Sequence, residues 1–203
     1  QIIYKNVYLI QMTIKELHNL VVTSIFNTTQ VKSLFSGLSQ SHILIQLNRW
    51  VKNGTIIRLR RGLYMFPDIN INEYAVASAL YNPSYISLES ALNHQGIIPD
   101  IPNTLTSVCT TTPRNFTTPM GKFAYSRIKT SLFFGYTLET DTQSKLPYSI
   151  AYPEKALLDL IYIRNYHKLT DLRVSWESLD MTRLKKYAKI YPRWVRQLVE
   201  SYV

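Results

Sequence analysis

The stretch SQSHILIQLNRWVKNGTIIRLRRGLYMF, residues 39–66, constrains the fold more than any other part of this chain. At about 100° per residue, Ile43, Leu44, Leu47, Trp50 and Val51 fall within one sector of about 120°, the signature of an amphipathic helix. His42, Gln46 and Arg49 share the opposite side, flanked by Ile45 and Lys52. Ser39 suits the N-cap, and Gly54 suits the position after the helix, where a positive φ is needed. Thr55–Leu59 and Gly62–Phe66 then read as two strands, with Arg60 and Arg61 near their turn. A helix fit for a major groove, followed by a cationic ribbon, is the layout of a winged helix-turn-helix DNA binder.

The residues upstream complete that unit. From Thr13 to Val22, Ile14, Leu17, Leu20 and Val21 recur at helical spacing. Asn27 and Thr28 offer N-caps ahead of TQVKSLF, whose Val31, Leu34 and Phe35 form an apolar stripe, and Gly37 is expected to end that helix. Pro67 and Asp68 close the unit, and the composition changes after them. The expected division is a winged helix-turn-helix over residues 1–70 and a second domain over 71–203.

In the second part, EYAVASALY reads as a helix stopped at Asn82-Pro83. Ser87 is expected to cap LESALNHQ, which Gly96 ends. Strands are expected over 104–111, 122–128, 132–138 and 147–152. PEKALLDLIYI follows as a helix with Pro153 at its first position and Glu154 in its first turn. Two terminal helices, 181–190 and 192–202, are split by Pro192. The fold class is therefore α+β: a winged helix, then a mixed domain with a small, largely antiparallel sheet flanked by helices.

Charge narrows the partner. The net charge is +10, and residues 1–70 hold eight Lys/Arg against only Glu16 and Asp68. Such a field draws polyanions. Gln46 and Arg49 are residue types that pair with adenine and guanine through two hydrogen bonds each, and His42 lies beside them. Ser39 and Ser41 can donate to a phosphate at the helix start, and Lys52, Arg58, Arg60 and Arg61 can neutralise the backbone. The same charges would also suit a solvated helix face beside a hairpin protected from aggregation. DNA is the expected partner; a two-fold dimer, which the sequence leaves open, would read half-sites about 34 Å apart or a multiple of that. Further on, residues 101–138 carry only Arg114, Lys122, Arg127 and Lys129 as charged groups up to that point. They offer a surface to RNA, DNA or an acidic protein, and they equally fit solvated charges on a small sheet.

Catalysis is not expected. His18, His42, His94 and His167 lack metal-ligand spacing, and no Gly-rich phosphate loop or nucleophile elbow occurs. No Asp or Glu lies between Asp100 and Glu139, so the clustered carboxylates of a metal-dependent nuclease are missing. Glu139 and Asp141 are expected in a loop, Lys155 and Asp159 as a local i,i+4 pair, and no metal or cofactor is expected. Cys109, the only cysteine, sits in an apolar strand pattern and reads as a small buried hydrophobe, which suits a reducing cytoplasm. The run IIYKNVYLI is short, is broken by Lys5 and Asn6, and has no signal-peptide cleavage site, so membrane insertion and secretion are not expected. A first residue of Gln1 rather than Met places the expected translation start upstream.

Several segments, taken in order, resemble the AbiEi family: LNRWVKNGTIIRLRRGLYMF, PSYISLESALNHQGIIPDIP, TSVCTTTPRNFTTPMGKFAYSRI, FFGYTL and IAYPEKALLDLIYI. They span about residues 26–163, and the final forty residues match only in general character. The resemblance implies the antitoxin half of a bacterial type IV toxin–antitoxin, or abortive-infection, pair. It implies a winged helix that represses its own promoter and a C-terminal domain that counteracts a nucleotidyltransferase toxin, with no catalytic activity. The alternative is a plain winged-helix transcriptional regulator whose second domain dimerises or senses a ligand.

Overall fold

In a computed structural model, the chain is described over residues 12–170 and 172–202; the apolar run at residues 2–10 lies outside them. Two compact units are present, Gln1–Asn70 and Ile71–Val203. Both are built of helices and sheet, so the protein is α+β.

Unit one runs α1 (Ile14–Leu20), β1 (Ile25–Asn27), α2 (Thr28–Leu34), α3 (Gln40–Lys52), β2 (Ile57–Arg60) and β3 (Leu63–Met65). Local chemistry starts each helix. Thr13 and Glu16 form a reciprocal capping box at α1, and Asn27 and Gln30 form another at α2. The Ser39 hydroxyl accepts from the His42 N–H at 3.3 Å to start α3. Helix α2 stops at Leu34 with Phe35 as its cap, so Gly37 lies in the turn and does not end the helix. Gly62, at φ +77°, lets the chain reverse between β2 and β3.

Strand β3 is central, with β1 and β2 antiparallel on either side. Short β1 was not foreseen, because three residues carry too little alternation to register as a strand. Its Phe26 nevertheless fills the core with Leu17, Val31, Phe35, Ile43, Leu47, Trp50, Ile56, Tyr64 and Phe66. The buried stripe of α3 is therefore what holds its other face outward.

Unit two runs α4 (Glu73–Leu80), β4 (Ser84–Ile86), α5 (Leu88–His94), β5 (Leu105–Cys109), β6 (Arg114–Thr118), β7 (Gly121–Arg127), β8 (Tyr136–Thr140), β9 (Pro147–Ala151), α6 (Pro153–Arg164), α7 (Met181–Ala188) and α8 (Arg193–Glu200). The six strands are ordered β6-β7-β5-β4-β9-β8. Three of the pairings are antiparallel, while β4–β9 and β5–β7 are parallel, so the sheet is mixed.

Side-chain alternation places the layers. Tyr125 is in register with Ser107, and Ser107 with Ile86. The Tyr125 hydroxyl donates to the Ala77 carbonyl at 2.6 Å, which puts α4 on that face. Tyr85 and Thr106, one residue along their strands, reach the other face. There Tyr85 donates to Asp159 of α6 at 2.9 Å, and Thr106 accepts from the Ser90 N–H of α5 at 3.1 Å.

Sequence expectations differ from the structure at several points. Residues 130–132 form a 3₁₀ turn, so the strand expected over 132–138 starts only at Tyr136 and carries Glu139 within it. Asp141 does lie in a loop, but buried, where Ser144 and the Asn72 and Gln143 N–H groups bond it. Strands β4 and β6 were also unforeseen. Ser87 occupies the N-cap position of α5 without capping it, because its hydroxyl donates to Asp159 at 2.8 Å.

Candidate nucleic-acid interface

Helix α3 presents its charged side to solvent. Ser39, Ser41, His42, Arg49 and Lys52 are exposed, while Gln46 is half-buried. Arg49 Nη1 donates to Gln46 Oε1 at 3.4 Å, so these two proposed base readers already bond one another. Such a pair must open, or turn together, to address two neighbouring bases. Ser39 spends its oxygen on the His42 N–H and keeps its hydroxyl proton for an incoming acceptor.

The ribbon carries its three arginines differently. Arg58 bonds the Asn48 side-chain oxygen of α3 and lies 5.9 Å from the Tyr64 ring centroid. It therefore braces the ribbon against the helix, with its charge still at the surface. Arg60 Nη1 donates to the Arg61 carbonyl at 3.4 Å, and Arg61 sits exposed at the turn. The β2–β3 register shifts between Arg58 and Arg60, a bulge that re-aims the side chains on either side. The sequence does not single out Asn48, because its partner lies ten residues on across a turn that residue spacing does not encode.

The four cations of residues 101–138 do not form one patch. Arg114 is in register with Tyr125 and shares its face with Arg127, while Lys122 has the opposite parity on β7. The Arg114 guanidinium lies 5.9 Å from the Tyr81 ring centroid. Lys129 is exposed where the chain leaves β7 for the 3₁₀ turn. Arg114 and Arg127 can address one ligand together; Lys122 faces elsewhere.

The buried carboxylates among the described residues of unit two are engaged in structure. Lys155 and Asp159 form a fully buried ion pair. Lys155 Nζ also donates to the Tyr85 and Tyr191 hydroxyls, both at 2.7 Å. Asp159 accepts from Tyr191 at 2.6 Å, Tyr85 at 2.9 Å and Ser87 at 2.8 Å. Burial pushes the Lys155 ammonium below its ordinary pKa against the pull of Asp159, and burial raises both phenols. Glu154 accepts from the Asp180 N–H at 2.8 Å and from Arg183 at 3.2 Å, tying α7 to α6. The i,i+4 spacing foretold the ion pair; its two tyrosines come from β4 and from the turn between α7 and α8.

Cys109 is buried, and desolvation raises its thiol pKa. Among the described residues, no group of three or more His, Cys, Asp or Glu could hold a metal ion. No helix among them is long and apolar enough to cross a membrane.

No curated protein matches the chain. Residues 22–67, which hold β1, α2, α3 and the ribbon, match the family described as transcriptional regulator, AbiEi antitoxin.

Proposed function

We propose that this chain is a DNA-binding autorepressor and antitoxin. Unit one places α3 in the major groove of its own promoter, with His42, Gln46 and Arg49 toward base edges. Ser39, Ser41 and Lys52 contact phosphates at the two ends of the helix. Arg60 and Arg61 grip the backbone from the ribbon, and Arg58, braced on Asn48, sets the angle between ribbon and helix. Unit two counteracts a nucleotidyltransferase toxin, and Arg114 and Arg127, which share one face of its sheet, are the candidate antitoxin surface. The protein acts in the cytoplasm, as a dimer on DNA.

The observation that carries the reading is the outward cationic face of α3, joined to a basic ribbon by the Arg58–Asn48 bond, within the segment that matches a regulator family. Order and spacing of the family-like segments beyond residue 70 support the second activity.

A paired assay tests both. The full chain and an Arg49→Ala/Arg61→Ala variant are co-expressed with the neighbouring toxin gene, beside a promoter reporter. Both proteins should restore growth, and only the wild type should silence the reporter. Silencing without growth rescue by either protein would leave a regulator and remove the antitoxin. Rescue without silencing by the wild type would do the reverse.

A further inference from the structure

Helix α3 places an isoleucine where a DNA-reading face is otherwise polar. Ile45 is 57% exposed. At about 100° per residue it lies about 180° from the mean direction of Ile43, Leu47 and Trp50, the buried residues of α3. Ser41, His42, Arg49 and Lys52 all fall within about 60° of it on the same face, and all are exposed. Ile45 is thus the centre of the outward face rather than its flank. Single exposed apolar side chains are common on protein surfaces and carry no meaning alone. Here the position decides, because a cationic rim makes this the side that approaches phosphates, and whatever Ile45 meets lies between two phosphate backbones.

Resting on the reading of α3 as a recognition helix, we propose that Ile45 is a specificity-determining residue that packs on a thymine C5-methyl group. That methyl is the one apolar group thymine adds to the major-groove edge; cytosine shows only a C5–H in its place, and adenine and guanine present donors and acceptors there. An isoleucine offers no hydrogen bond, so it gains nothing against those three edges and desolvates them. Arg49, one turn further along, and His42, one turn before, then address the base pairs on either side of the thymine. The operator half-site is accordingly centred on an A·T pair whose thymine methyl faces the protein.

The test uses the full chain and a duplex of its own promoter in which each thymine is replaced in turn by uracil. This deletes one methyl group and leaves every hydrogen-bonding group in place. Wild type should bind about four-fold more weakly at one thymine per half-site, the scale of one lost methyl contact. Ile45→Ala should bind the thymine and uracil duplexes equally, and Ile45→Val should retain part of the difference. Promoter-selective binding by wild type with no uracil-sensitive position overturns the assignment of Ile45 while leaving the recognition helix intact. So does a sensitivity that persists unchanged in Ile45→Ala. Equal binding of promoter and random duplex by wild type overturns the recognition helix, and the thymine contact with it.

Discussion

Among single residues, the two kinds of contact proposed for unit one should separate under mutation. Arg61 sits exposed at the ribbon turn, where the proposed function assigns it to phosphates. Arg61→Ala should weaken binding to all duplexes alike and flatten the log–log salt slope by about one unit, measured by titration at several salt concentrations. Gln46→Ala should leave the slope and relax the preference at particular base pairs. Because Gln46 and Arg49 bond one another, their two single mutations should be non-additive. The buried pair of unit two behaves differently. Asp159→Ala strands the Lys155 ammonium in the interior and should cost about 3–5 kcal/mol in urea unfolding. Lys155→Met/Asp159→Leu removes both charges and should cost far less. An Asp159→Ala cost below about 1 kcal/mol would mean that the ion pair does not form.

Each element's behaviour follows from which of its faces is covered. Leu47 is fully buried on the inner side of α3. Leu47→Ala should destabilise unit one by about 2–5 kcal/mol, read as a lower urea midpoint. Cross-strand pairing sets a pH limit in unit two. Tyr148 of β9 is in register with Glu139 of β8 and donates to it at 2.8 Å. Burial first, and then that bond, raise the phenol from the ordinary 10.0 to about 12. A raised folded-state value makes this contribution to stability complete below about pH 10 and lost progressively between pH 10 and 12. Wild type should lose more stability across that window than Tyr148→Phe; equal losses would contradict the assignment.

Helices were the legible elements. Apolar residues of α3 recur every three or four positions, and Asn27, Ser39 and Pro153 mark helix starts locally. Strands β1, β4 and β6 escaped because three to five residues show little alternation, and their identity comes from partners distant in sequence. The outward cations of α3 were legible for the same reason as its core stripe. The Asn48–Arg58 brace, and the split of Lys122 from Arg114 and Arg127, depended on pairing across turns.

Across the whole molecule, the cationic excess and the regulator-like segment coincide in unit one. Unit two spends its buried acidic groups on holding α6, α7 and its sheet together. The proposed division of labour gives DNA to unit one and the toxin's activity to unit two. The most direct measurement is equilibrium binding of the full chain to its own promoter duplex and to a shuffled duplex of equal length, across a salt series. We expect the promoter to bind about 10³-fold or more tightly at physiological salt, with a steep negative salt slope for both duplexes. Equal affinity for the two duplexes, or binding insensitive to salt, would contradict the assignment of α3 and its ribbon as a DNA-reading unit.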